Sequence, residues 1–220
     1  MTLTAQHGWH FVGETLRYGR PVPPDGETLR HEGPLVLCES GLHLSRTPWD
    51  ALQYAPGATL CLVLSGGETI ESDDKAVCRE RTILSRMDAT DLLRYFARLQ
   101  ALSVLEYWHE NPPEVVLDYL MTDDETLRDT AESAAFDAVL AAAAASTRAG
   151  GFGAWCAPGA AERAAAWAAA EATAWGAARA ARAAARSARA AARSDAEDAA
   201  WDAARDEFDA LVYECFGVQA

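Results

Sequence analysis

The chain has 220 residues and a mass of 23.6 kDa, half of its residues are apolar, and 33 acidic against 19 basic residues give a net charge of −14. This length suffices for a buried core, and the apolar content excludes a wholly disordered chain. No apolar run reaches the roughly 18 residues of a membrane-spanning helix, residues 1–10 lack the pattern of a secretory signal, and the acidity argues against a protein that coats nucleic acid.

The five cysteines are an odd number, and they form no C-x-x-C pair. We therefore expect free thiols in a reduced, cytoplasmic setting. His7 and His10 form H-x-x-H, but on a strand these two side chains point to opposite faces, so we expect no metal site.

Residues 1–86 mix β-branched and apolar runs with Gly, Pro and Asp, which predicts a small sheet crossed by one short helix. Thr47 and Pro48 have the residue types of a helix N-cap and first turn, so the helix should begin there. Gly66 and Gly67 should end the strongest strand. The predicted strands are residues 9–12, 35–38 (buried on both faces), 59–65 and 76–84.

Two helical segments follow. Residues 88–148 form an acidic helical region, with Asp88 as N-cap of a first helix whose apolar spacing continues to Trp108. Residues 160–216 are rich in Ala and Arg, and they predict a helical arm or hairpin. The fold class is therefore α+β, with a β-rich domain at 1–86.

Charge alternates along these helices. Residues 103–137 have a net charge of −9, residues 160–193 of +4, and residues 194–216 of −7. Ser194 and Glu197 form a capping-box pattern that begins the last helix. The basic helix carries one stripe of arginines at helical spacing: Arg179, Arg182, Arg186, Arg189 and Arg193.

The arginine stripe has two interpretations. It packs internally against the acidic helices, or it binds a phosphate-bearing ligand or an acidic partner. Genomic composition alone would also explain the alanines. The Ala-rich helices could pack against a second copy of the chain, which would make the protein a homo-oligomer.

The most informative stretch reads L-V-L-C-E-S-G-L-H-L-S at 35–45, T-P-W-D-A-L-Q-Y-A at 47–55 and T-L-C-L-V-L-S-G at 59–66. It resembles an uncharacterised domain family of bacteriophage and bacterial genomes whose members often carry Ala-Arg-rich helical tails. The resemblance covers roughly residues 8–130. It implies a phage or mobile-element origin and no established activity.

The same order of elements is similar to ADP-ribosyltransferases of the poly-ADP-ribose polymerase type. By this resemblance His10 takes the position of the family's His, His43 that of a Tyr, and Glu80 that of the catalytic Glu. Such a site holds the ribose and nicotinamide, and its carboxylate stabilises the cation that forms as the glycosidic bond breaks. The resemblance therefore implies NAD as cofactor if the protein is an enzyme; otherwise no cofactor is expected.

From these resemblances we expect a phage accessory protein that counters a host defence system by binding a nucleotide-like ligand in an N-terminal cleft. The alternatives are a mono-ADP-ribosyltransferase that modifies a host protein through Glu80, and an acidic inhibitor that mimics nucleic acid. The partner is a nucleotide-like molecule or a host defence protein, with no membrane and no direct nucleic-acid binding. The predicted ligand-binding residues are His10, His43, Ser45, Arg79 and Arg81.

Two of these residues have simpler interpretations. His10 fits a half-buried core histidine, and Glu80, which lies between two arginines, fits a surface ion pair.

Overall fold

The computed structural model describes residues 2–108, 110–148, 160–169, 174–191 and 197–219. Within these ranges an antiparallel sheet is followed by helices, so the fold is α+β, as predicted. The strands are β1 (His7–Val12), β2 (Thr28–Arg30), β3 (Leu42–Leu44), β4 (Thr59–Glu71) and β5 (Ala76–Asp88). The helices are α1 (Pro48–Leu52), α2 (Thr90–Leu102), α3 (Glu114–Thr122), α4 (Arg128–Arg148), α5 (Ala160–Ala169), α6 (Ala174–Ala191) and α7 (Glu197–Phe216), with 3₁₀ turns at Arg17–Gly19 and Leu105–Tyr107.

The chain divides into two compact units, one of residues 1–90 with 207–220 and one of residues 91–206. The second half of α7 thus belongs to the same unit as the sheet. None of the described helices is long and apolar enough to cross a bilayer.

A long hairpin of β4 and β5 is the centre of the sheet unit. The expectation that Gly66 and Gly67 end the strand at 65 was wrong, because β4 continues to Glu71. Its pairing with β5 shifts register between Gly66 and Thr69, and Gly67 has a φ of +69°. The glycines therefore form a β-bulge, which redirects a strand without ending it.

The sheet curls until its two edges meet. β1 pairs with β4, β4 with β5, and β5 with β3. Immediately after β3, Ser45 exchanges two backbone hydrogen bonds with Trp9 of β1, of 2.8 and 2.9 Å. The enclosed side holds one apolar cluster, which consists of Val12, Leu44, Cys61, Val63, Ala76, Cys78 and Ile83.

The other side of the sheet packs against helices. The Trp9 ring lies 5.0 Å from the ring of Phe216, edge to face, and Trp49 of α1 lies 6.1 Å from Phe208. α1 begins as predicted, with Thr47 Oγ1 accepting the Asp50 N–H and Pro48 in the first turn. Asp209 of α7 accepts the Trp49 N–H at 2.7 Å. This contact joins the last helix to the start of α1.

The predicted strand at 35–38 was wrong. Val36 and Ser40 exchange backbone hydrogen bonds of 2.8 and 2.9 Å, so the chain reverses direction there, and Cys38 adopts a left-handed conformation with a φ of +67°. Val36 is 39 % exposed. The apolar run belongs to a tight turn, because four apolar residues alone do not define a strand when a local turn satisfies the same backbone groups.

In the helical unit, α2 ends at Leu102 and does not continue to Trp108 as expected. Ser103 Oγ donates to the Gln100 carbonyl at 2.9 Å, a contact that competes with the helical backbone, and a 3₁₀ turn follows. Asp88 acts at the helix start as predicted, since its Oδ1 accepts the Thr90 N–H at 2.9 Å.

Buried alanines line α5 and α6, which pack against each other. The arginine stripe of α6 meets aromatic rings inside the same unit, with Arg179 lying 5.7 Å from the Trp167 ring centre and Arg189 5.2 Å from that of Trp201. Arg189 also pairs with Asp198 at 3.2 Å. Arg193 and Ser194 lie outside the described residues.

Candidate functional site

Arg81 is the central residue of the candidate site. It lies on β5 opposite Ser65 and is only 3 % exposed. One terminal nitrogen donates to the His43 carbonyl, and its Nε has no hydrogen-bond partner. A guanidinium that is both buried and incompletely hydrogen-bonded is costly, so its retention needs an explanation.

The positive charge of Arg81 is not compensated by a carboxylate. Burial lowers its pKa, and the groups that act in the opposite direction are the thiols of Cys78 and Cys61. Burial raises the pKa of Cys61 to about 11 and also raises that of Cys78, so both thiols are neutral at physiological pH. No described carboxylate forms an ion pair with Arg81. The sheet unit thus encloses an unneutralised cation.

His10 and His43 lie beside this cation. Burial holds the pKa of His10 well below its usual range, and Arg81 and His43 lower it further. Burial also lowers the pKa of His43, a backbone hydrogen bond with Gly41 opposes that shift, and Arg81, Arg17 and Lys75 add to the lowering. Both imidazoles are therefore neutral near pH 7. The His43 ring is already hydrogen-bonded to the backbone of Cys38 and Gly41.

His43 also supports the turn that precedes it. Its Nε2 accepts the backbone N–H of Cys38 at 2.9 Å, which fixes the ring in one neutral tautomer. Arg17 donates to the carbonyl of the same Cys38 at 3.0 Å. The left-handed residue is thus held from both sides.

The structure therefore brings three of the predicted site residues together, His10, His43 and Arg81. Ser45 is buried next to them in the chain, and its backbone pairs with Trp9.

Glu80 and Arg79 make separate contacts. Glu80 neighbours Arg81 on the strand and so points to the opposite face; it lies opposite Gly66 and pairs with Arg30 at 3.3 Å. Arg79 pairs with Glu68 at 2.9 Å and donates to the Gly33 carbonyl at 2.7 Å. Neither side chain hydrogen-bonds to His10, His43 or Arg81 in the described structure.

Arg17 and Lys75 are the residues that the sequence analysis missed. Lys75 Nζ donates to the Tyr54 hydroxyl at 2.9 Å, and this contact, together with Asp74, raises the pKa of Lys75. Both cations lie near enough to His43 to lower its pKa. No local pattern marks them, because they come from a loop and a hairpin end that only the closed sheet brings together.

This arrangement can bind an anion. Buried Arg81 and the more exposed Arg17 and Lys75 concentrate positive charge in one part of a protein whose net charge is −14, and His10 adds a neutral imidazole. Among the described residues, no group of three or more His, Cys, Asp or Glu side chains could hold a metal ion.

Comparison with known proteins adds a family match for the sheet unit. No curated protein and no solved structure matches the chain. Residues 7–95 are similar to a family described as a domain of unknown function (DUF7666), a match that contains β1 to β5, α1 and all of the predicted site residues.

Proposed function

We propose that the protein acts by binding, and that its sheet unit holds a nucleotide-like anion through Arg81 and His10, next to His43. The observation that carries this proposal is the buried Arg81, which has no carboxylate partner among the described residues and an unpaired Nε. Phosphate oxygens would supply the missing acceptor and the missing negative charge.

Binding is favoured over ADP-ribosyl transfer by the position of Glu80. Transfer needs this carboxylate in the same site as the two histidines, whereas it pairs with Arg30 on the other face of β5. The tautomer of His43 is likewise fixed by a structural hydrogen bond.

In this proposal the protein is a phage or mobile-element accessory factor that captures a nucleotide signal of a host defence system. The family match at residues 7–95 is compatible with this role and assigns no activity. The phage origin and the defence target rest on the sequence resemblance alone.

The first experiment is a thermal-shift screen against inorganic phosphate, ADP-ribose, NAD and linear and cyclic nucleotides at constant ionic strength. A ligand at 100 times its Kd should stabilise the protein by about 2.7 kcal/mol. Arg81→Met should weaken binding at least about tenfold. Arg30→Met, which removes an exposed arginine of the neighbouring strand β2, should leave affinity unchanged.

Arg81→Met should fold, because replacing an uncompensated buried cation by an apolar side chain of similar length removes a desolvation cost. We expect its urea midpoint to equal or exceed that of the wild type, so a loss of affinity would report the site. If no phosphate compound shifts the midpoint, or if Arg81→Met binds as the wild type does, the proposal is wrong. If the protein releases nicotinamide from NAD and Glu80→Gln abolishes this release, the transferase alternative would replace the binding proposal.

The biological part has its own test. A nucleotide-signalling defence lowers the number of plaques that a phage forms on bacteria. Expression of the wild-type protein in these bacteria should restore the plaque number, and expression of Arg81→Met at the same level should not. Equal recovery with both proteins would contradict capture at this site.

A further inference from the structure

A groove with a cavity of about 400 Å³ lies in the helical unit, between α4 and the segment that leads into α3. Trp108, Asn111 and Pro113 line it together with alanines of α4. Two carboxylates, Glu110 and Asp137, also line it. Apolar surface thus lies next to negative charge, and the space suffices for one long side chain.

Within the described part of the chain, neither carboxylate has a counter-ion. No described residue forms an ion pair with Glu110 or Asp137, and both are exposed. The one arginine of residues 103–137, Arg128, already pairs with Glu125 at 2.9 Å and Asp129 at 3.0 Å. The groove therefore lies in a segment with a net charge of −9 whose single arginine is already paired with other carboxylates.

Elsewhere in the same unit, a tryptophan ring next to a carboxylate binds an arginine side chain. Arg189 lies 5.2 Å from the centre of the Trp201 ring and 3.2 Å from the carboxylate of Asp198. A planar guanidinium makes both contacts at once, stacking on an indole while its N–H groups reach a carboxylate. Trp108 with Glu110 and Asp137 combines the same residue types.

We propose that this groove binds an arginine side chain on a basic segment of a partner protein. The guanidinium would lie between the two carboxylates, and its methylene stem would lie against Trp108 and the alanines of α4 that line the groove. α4 also exposes Phe136 (57 %) and Leu140 (53 %), apolar surface of the kind found at protein contacts. The proposed ligand is a cation bound in the helical unit, so the inference does not depend on the anion site.

The test uses the full-length protein and two fluorescein-labelled peptides of twelve alternating arginine and alanine residues. In the second peptide citrulline, a neutral isostere, replaces every arginine. Fluorescence anisotropy at constant ionic strength should show binding of the arginine peptide and at least about tenfold weaker binding of the citrulline peptide.

The variant Glu110→Gln with Asp137→Asn should lose about tenfold in affinity for the arginine peptide. The matched control, Asp118→Asn with Glu132→Gln, removes two exposed carboxylates of α3 and α4 that do not line the groove. It should change affinity by less than about threefold, the general effect of charge.

Equal losses in the two double variants would show nonspecific attraction to an acidic surface and overturn the inference. Equal binding of the arginine and citrulline peptides would do the same. Sedimentation of the protein alone tests whether a second copy of this chain occupies the groove. A dimer that dissociates in the groove variant and not in the control variant would place that second copy there and contradict a separate partner.

Discussion

At the scale of single residues, the sheet unit retains polar groups that a core selected for stability alone would exclude. His10 and Arg81 face the enclosed side of the sheet, which also holds the apolar cluster. Burying these side chains removes their hydration, and their few hydrogen bonds do not offset that cost in free energy. Sites that bind ligands are where such costs are retained, so these two residues are more informative about function than the exposed carboxylates.

His10 provides a prediction about pH. Burial holds its pKa well below 6.5 in the folded protein, so below about pH 6.5 the unfolded chain binds a proton that the folded chain does not. The free energy of unfolding should therefore fall as the pH decreases from 7 to 5, by up to about 1.4 kcal/mol per pH unit from this group. His10→Gln should show a shallower fall in urea titrations over this range. Parallel curves for the two proteins would contradict the prediction.

At the scale of elements, closure of the sheet depends on a close approach between β1 and β3. A Cβ at Gly8 would lie 2.2 Å from Leu44 Cδ1 and 2.7 Å from the Ser45 carbonyl oxygen. The hydrogen bonds between Trp9 and Ser45 form directly beside this contact. Glycine at position 8 therefore permits the edge pairing that encloses Arg81.

Gly8→Ala should accordingly destabilise the sheet unit by about 2 kcal/mol or more, because the neighbouring backbone has to move. Gly13→Ala is the matched control, since its Cβ would meet the Pro56 carbonyl oxygen at an ordinary 3.5 Å. It should cost less than about 1 kcal/mol. Urea denaturation measures both, and amide exchange at Trp9 should accelerate in Gly8→Ala alone. Equal stability losses would show that the close approach is not what matters.

At the scale of the whole molecule, negative charge is unevenly distributed. The net charge of −14 includes −9 within residues 103–137, while the described carboxylates there have few cationic partners. Like charges at this density repel each other in the folded state, and the repulsion is screened by salt.

We therefore expect the thermal midpoint to rise by several degrees between about 10 mM and about 150 mM sodium chloride, as the Debye length falls from about 30 Å to about 8 Å. The variant Asp118→Asn with Glu132→Gln should show a smaller rise. Sucrose at equal osmolality controls for effects that do not involve charge. A midpoint that falls or stays constant with salt would contradict the prediction.

Local chemistry was sufficient for several elements. Thr47 and Pro48 predicted the start of α1, the apolar run after Thr59 predicted β4, and the alanine-rich composition predicted α5 and α6. These predictions succeeded because capping, apolar patterning and helix propensity act within a few residues.

Other features depended on contacts between distant parts of the chain. Gly66-Gly67 became a bulge through the pairing of β4 with β5. The run at 35–38 became a turn that is closed by the Val36–Ser40 hydrogen bonds and held by Arg17 and His43 at Cys38. Glu80, placed by resemblance in the site, lies on the opposite face of β5 from Arg81.

The sequence by itself therefore determined the α+β class, most element positions and the charge layout. It also identified His10, His43 and Arg81 as candidates. Only the tertiary structure decided that these three residues meet, that Arg81 is buried with no described carboxylate as partner, and that Arg17 and Lys75 lie near them. The physical reason is that burial and charge compensation are set by closure of the sheet, which joins residues far apart in sequence, whereas secondary structure follows from neighbours along the chain.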